Sequence, residues 1–293
     1  MHFLQLNNKR SYRYLNFIFL TFLFICLTIL SAKHISETQH LESLKLKCLK
    51  NTGEGYETIL CLKSYLEELT RTKSAKVAIQ ETILLKNQKH ISECHLAAHF
   101  IGKANYDKFK TNVSLAFATC PTLCLEGCQH GVMDAYINAS KNLETALFGI
   151  TNTCQSITSS SWLKRQCLHG VGHGIVRHNE YNIVEAINLC NKFPDEYSAD
   201  KCIGGVMMEY TNQYLSLDEN SFIQKLRSVC IPVITTKKPD TIKRCFSNLG
   251  GAIVFYVGKD MQKSLKLCEN LLPEYITMCK DGVRSEIKID SIE

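Results

Sequence analysis

CQHGVMDAY (Cys128–Tyr136), CLHGVGHGI (Cys167–Ile175) and CIGGVMMEY (Cys202–Tyr210) are versions of one string, and CFSNLGGAI (Cys245–Ile253) and CKDGVRSEI (Cys279–Ile287) are two more. Working outward, the leading Cys of these strings belongs to a series at 61, 94, 128, 167, 202, 245 and 279, with steps of 33, 34, 39, 35, 43 and 34 residues. Two short helices and their loops occupy such a step in αα-repeat arrays. Five of the series have a second Cys upstream: Cys48 before Cys61, Cys154 before Cys167, Cys190 before Cys202, Cys230 before Cys245 and Cys268 before Cys279. One helical turn before the upstream Cys stands an apolar residue, such as Leu44, Ile150, Ala186 or Leu226. The pattern predicts an all-α array of about seven disulfide-stapled helical hairpins, either an α-solenoid or a compact αα-repeat domain. In each hairpin the second Cys is expected to open the second helix.

Composition is consistent with this fold. With 293 residues and 45% hydrophobic content the chain can bury a sizeable core, and five prolines without a Gly/Ser tract leave little room for linkers. The net charge of +6 includes Lys9, Arg10 and Arg13; without these three, 31 basic residues face 28 acidic ones. That balance leaves no electrostatic footprint for nucleic acid.

The N-terminus sets the compartment. Behind the basic residues runs LNFIFLTFLFICLTILSA, Leu15–Ala32, uncharged and roughly long enough to span a thin bilayer. The expectation is a cytoplasmic tail at 1–14, a transmembrane signal anchor (or, alternatively, a cleaved signal peptide) at 15–32, and an exported Cys-rich domain at 33–293. Setting aside Cys26, fourteen cysteines remain, an even number in an oxidising periplasmic or extracellular space. The hairpin pairs use ten. Cys94, Cys120, Cys124 and Cys128 are left with open pairing, for example Cys94 with Cys124 and Cys120 with Cys128, or with a role beside His130 at a metal or cluster site.

Histidine carries the chemistry. His95, His99, His130, His169 and His173 all follow the second Cys of units two, three and four. His95 and His99 are four apart, as are His169 and His173, and Asp134 follows His130 at the same interval, so each pair shares a helix face. On stacked helices these positions form a row. The row ends after unit four, where Gly204 and Met208, then Ser247 and Gly251, take its place; a purely structural residue would recur along the array. His95, His99, His130, His169 and His173, with Asp134, are therefore candidate ligands for a transition metal, Zn, Cu, Fe or Ni. Bis-His haem is a lesser alternative, since no C-x-x-C-H motif is present. Glycines among the histidines, Gly131, Gly170, Gly172 and Gly174, imply close backbone approach by a helix or a ligand. Glu126, Asp134 and Glu209 are candidate acids, bases or further ligands, whereas Met207 and Met208 read as core. No H-E-x-x-H, G-x-S-x-G or P-loop motif occurs, and whether the protein is an enzyme stays open.

In architecture the stapled hairpins resemble the Sel1-like, TPR-related repeats of secreted bacterial cysteine-rich proteins. In those repeats the two Cys of a unit lie closer together, and the motifs CHLAAH and CLHGVGHG are no part of their pattern. The resemblance implies a scaffold with a groove for a protein or peptide partner. Two functions follow: a membrane-anchored extracytoplasmic metal-binding protein with its site on repeats two to four, or a repeat scaffold for protein–protein interaction.

Overall fold

In a computed structural model the chain is helical wherever it is regular, with no strand among the described residues. The description covers 5–51, 56–91, 93–110, 112–157, 160–213, 218–257 and 259–290, except for the side chains of 5–18, 29–34, 51, 56, 212, 219, 289 and 290. The chain divides into two compact units, Met1–Thr52 and Gly53–Glu293.

The first unit is helix α1 (Gln5–Asn51). Among the described residues no helix is long and apolar enough to cross a membrane. The span expected at Leu15–Ala32 has described side chains only at 19–28, about half the ~20 residues a bilayer core requires, and its two ends lie outside the description.

In the second unit a first set of helices of 13–18 residues, the long ones, alternates with a second set of 4–13 residues. The long ones are α2 (Tyr56–Thr72), α4 (His95–Lys108), α6 (Gly127–Ala139), α8 (Ser161–His178), α10 (Glu196–Asn212), α13 (Pro239–Tyr256) and α15 (Pro273–Asp290). Each packs on the next long helix in that order. Between them lie α3 (Ala75–Asn87), α5 (Val113–Ala118), α7 (Leu143–Gln155), α9 (Ile183–Cys190), α11 (Glu219–Val229) with α12 (Ile231–Ile234), and α14 (Met261–Cys268). Gly170 on α8 faces His130 on α6, and Gly174, one turn on, faces Asp134 and Ile137, so these two helices run parallel.

Glycine sets how close the long helices come. A Cβ on Gly102 would lie 2.0 Å from the Cys128 carbonyl oxygen, and one on Gly131 would lie 2.2 Å from that of His99. Gly172 and Gly205 meet the Cys202 and His169 carbonyls in the same way, at 2.0 and 1.8 Å. The close approach expected from these glycines is thus helix on helix. It leaves α8 buried from Arg165 to Val176, where an amphipathic helix would bury one face only.

The staples form as the spacing predicted for Cys154–Cys167, Cys190–Cys202, Cys230–Cys245 and Cys268–Cys279. Cys48 and Cys61 are each in a disulfide as well. In the chain-entropy picture, closing loops of this size stabilises each hairpin by about 3 kcal/mol. One expectation needs correction. The second Cys opens its helix in units two and three, where Cys94 is the N-cap of α4 and Cys128 the second residue of α6, but not in the last four: Cys167, Cys202, Cys245 and Cys279 are each the seventh residue of theirs. These four helices start earlier because the loops carry their own start signals. Ser160 and Asp195 accept hydrogen bonds from the backbone N–H of Leu163 and Ser198, and Pro239 and Pro273 stand at first helical positions. His169 and His173 therefore sit mid-helix, inside the core.

Candidate metal centre

The four cysteines outside the hairpin rule build one wall of the site. Cys94 pairs with Cys124 and Cys120 with Cys128, so none of them is a thiolate ligand, and the alternative of a cysteine-bound metal or cluster falls. The bridges hold Cys124, Leu125 and Glu126 in three successive left-handed conformations, with φ of 55°, 52° and 53°. Each is costly for a residue with a Cβ, on the order of 1–2 kcal/mol. The turn delivers the Cys124 carbonyl to His95: the ring Nδ1 lies 3.0 Å from that oxygen, and Cys94, the residue before His95, is joined to Cys124.

All five histidines converge. His95 and His99 come from α4, His130 from α6, and His169 and His173 from α8. Ring centroids are 4.7 Å apart for His95 and His99, 5.2 Å for His95 and His130, 4.9 Å for His99 and His173, and 5.0 Å for His130 and His169. In two triads, one ring nitrogen per residue lies within 4.8 Å of the others: His95, His99 and His130, and His130, His169 and His173. His95 Nε2 and His99 Nε2 are 3.1 Å apart. Two nitrogens bound to one ion at 2.0–2.1 Å stand roughly 3.0–3.4 Å from each other, so this spacing already suits a shared ion.

Groups outside the cluster fix which nitrogen faces it. A carbonyl only accepts, so the His95 bond to Cys124 places a hydrogen on Nδ1 and leaves Nε2 as the lone pair. His130 Nε2 donates to the amide oxygen of Gln166 at 2.8 Å, which leaves Nδ1. His173 Nδ1 donates to Glu209 Oε2 at 2.9 Å, which leaves Nε2. Among the described residues, His130 Nδ1, His173 Nε2 and His99 Nδ1 are buried with no hydrogen-bond partner. Such orphaned groups cost about 1–3 kcal/mol each in a folded core unless something binds them. Imidazoles held by an outer carboxylate, carbonyl or amide are how proteins orient histidine toward a metal.

The electrostatics favour the unprotonated rings. Burial lowers His95 to about 4, against the Cys124 hydrogen bond, which raises it. Burial also holds His99, His130 and His169 well below the ordinary histidine value, and the crowding of neighbouring rings adds to it. For Glu209 burial works upward, but the His173 hydrogen bond and the Arg177 charge outweigh it, and the carboxylate stays below its usual range. Arg177 Nε donates to Glu209 Oε1 at 2.7 Å and its Nη1 to Asp134 Oδ2. Asp134 also accepts from Asn138 Nδ2 at 2.7 Å. Its carboxylate is thus engaged beside the cluster and belongs to neither triad. His169 Nε2 lies 3.4 Å from the sulfur of Met208.

Sequence reasoning collected the five rings but missed Gln166 and Arg177, which carry no motif of their own. Gln166 was legible only as the residue before Cys167, and Arg177 as one turn beyond His173. Glu126, a candidate acid in the sequence, is a buried residue at the start of α6. Compared with protein-family models, curated proteins and solved structures, the chain matches none.

Proposed function

We propose that this is an extracytoplasmic metal-binding protein whose five-histidine core, His95, His99, His130, His169 and His173, takes up one or two transition-metal ions. The observation that carries this reading is the pair of triads sharing His130, in which His95, His130 and His173 are each held from outside through one ring nitrogen while His99 Nδ1, His130 Nδ1 and His173 Nε2 are buried without a partner. Fourteen disulfide-bonded cysteines support an oxidising compartment. Imidazole suits Zn, Cu, Fe or Ni, and the orienting hydrogen bonds supply basicity and direction whichever ion binds. Asp134 acts through Arg177 and Glu209 on His173, not as a ligand.

The test is metal content of the full chain purified from its exported compartment with disulfides intact. The expected result is one or two ions per chain, falling for His130→Ala and His173→Ala while the helical circular dichroism is kept. Metal-free wild-type protein that takes up none of Zn, Cu, Fe or Ni on titration would refute the reading.

Two further parts belong to the proposal. We take Leu15–Ala32 as a membrane tether, supported by the basic residues before it and by the exposed side chains of Phe19, Leu20, Phe22 and Phe24. Recovery of the chain in the supernatant after alkaline carbonate extraction would remove that part. The scaffold alternative draws on a surface groove of about 430 Å³ lined by Leu147, Phe148, Leu189, Phe193 and Pro194, with Phe148 74% exposed. It accounts for the groove but not for the buried bare nitrogens.

A further inference from the structure

The two triads differ in what completes them. Both count on His130, yet its Nε2 is committed to Gln166, so the ring has one nitrogen, Nδ1, to offer. If an ion sits with His95, His99 and His130, an ion at the other end has His169 and His173 from the triad and needs a third donor. Met208 is placed to be that donor. Its sulfur lies 3.4 Å from His169 Nε2, close to the separation of two atoms bound to one ion, and the side chain is buried. His173, 5.0 Å from His169 between ring centroids, has its Nδ1 held by Glu209 and its Nε2 buried and unpartnered.

The repeat register says the same independently. Counting from the second Cys of each unit, His169 and His173 stand two and six residues after Cys167, and Gly204 and Met208 stand two and six after Cys202. Met208 therefore occupies on α10 the position that His173 occupies on α8. At the other position of the pair, Gly204 faces the His169 ring: a Cβ there would lie 3.4 Å from His169 Nδ1. On α10 the row thus places a thioether where the preceding helix places an imidazole.

Resting on the metal-binding reading above, the geometry points to a monovalent copper site at the His169–His173–Met208 end, distinct from the all-imidazole His95–His99–His130 end. Two imidazoles and a thioether form a soft, low-coordinate donor set that suits Cu(I), whereas three imidazoles suit divalent ions such as zinc. A thioether is a poor ligand for Zn(II), so one molecule would sort two kinds of ion between its two ends.

The experiment titrates metal-free full-length protein, disulfides intact, with Cu(I) supplied anaerobically as its acetonitrile complex against a chromophoric Cu(I) chelator, and separately with Zn(II). X-ray absorption at the copper edge is recorded on the wild-type protein, so that one arm needs no variant. The expected result is a sulfur neighbour in the first shell of bound Cu(I). Met208→Leu, which keeps the volume, should lose that neighbour and weaken Cu(I) by at least the roughly 10- to 100-fold that even outer partners of a metal command, with Zn(II) affinity unchanged. Copper bound by nitrogen alone, or Cu(I) affinity indifferent to Met208→Leu while Zn(II) still binds, would overturn this inference and leave the metal centre standing. Failure of the wild-type protein to bind either ion would overturn both.

Discussion

In the α4–α6 pair, Gly102 and Gly131 each lie against the carbonyl three residues before the partner glycine, and in α13–α15 Gly250 and Gly282 do the same, at 2.0 and 1.8 Å from a built Cβ to the carbonyl oxygens of Cys279 and Ser247. The backbone contact is one design used at both ends of the unit. Ser247 stands where the first pair has His99, and Asp281, paired with Arg284, stands where it has His130. Since the helices pack equally closely without imidazoles, packing does not call for the histidines. They are an addition to the scaffold, and substitutions that strike both pairs separate the roles of scaffold and site.

The largest expected difference is in acid. His95, His99, His130 and His169 have lowered values in the folded chain and about 6.5 unfolded, so below pH 6.5 the unfolded chain binds more protons and stability falls with pH. Each such ring adds to the loss as pH falls below 6.5, and for His95 the loss continues down to about pH 4. In metal-free protein, protection against hydrogen exchange, corrected for the slower intrinsic rate at about pH 5.5, should therefore be lost in α4, α6 and α8 well before α13 and α15. Equal loss of protection in both regions would show that the rings are not held neutral by the core.

Disulfides come next. Replacing Cys94 and Cys124 by Ser opens a loop of 30 residues, and replacing Cys268 and Cys279 opens one of 11. Chain entropy puts both losses near 3–4 kcal/mol, readable as a lowered denaturation midpoint. Only the first should also reduce metal occupancy, because only the first bridge holds the Cys124 carbonyl on His95.

Glycine follows. Gly131→Ala and Gly282→Ala each drive a methyl into a carbonyl oxygen and should destabilise by about 1–3 kcal/mol, the usual cost of overpacking. Thermal unfolding should fall alike for both, and metal affinity for Gly131→Ala alone. A glycine effect confined to α4–α6 would mean that the two contacts are not equivalent.

How much of this was legible follows from the length scale of each signal. The stapled hairpins and the five rings are written in spacing, because a disulfide loop and an i, i+4 face are short-range facts that a string contains. The bridges of Cys94, Cys120, Cys124 and Cys128 depart from the hairpin rule, and nothing local decides between pairing and ligation; the left-handed turn at 124–126 is visible only in three dimensions. In the last four units the helix starts nearly two turns before the cysteine, because Ser160, Asp195, Pro239 and Pro273 mark the boundary, whereas at Cys94 and Cys128 cysteine and helix start coincide to within a residue. Gln166 and Arg177 escaped because each matters only through a partner more than thirty residues away, His130 for one and Asp134 and Glu209 for the other.

The smallest predicted effect gives the closest comparison. Glu209 and Glu286 both stand seven residues after the second Cys of their units, and each binds an arginine of α8, Arg177 for Glu209 and Arg165 for Glu286. Glu209 differs in being the more deeply buried and in also accepting from His173 Nδ1 and, at 3.3 Å, from the Tyr181 hydroxyl. Glu209→Gln keeps an oxygen that can accept this hydrogen bond, so the ring should hold its orientation while losing the charge that makes its other nitrogen more basic. Metal affinity should then drop by about tenfold, the lower end of what an outer carboxylate contributes. Glu286→Gln removes the same charge from the same kind of ion pair, with no imidazole between it and the cluster, and should leave metal affinity unchanged. Competition with a chromophoric chelator resolves a tenfold change. Equal losses in the two variants would assign the effect to net charge around α8 and not to the His173 hydrogen bond.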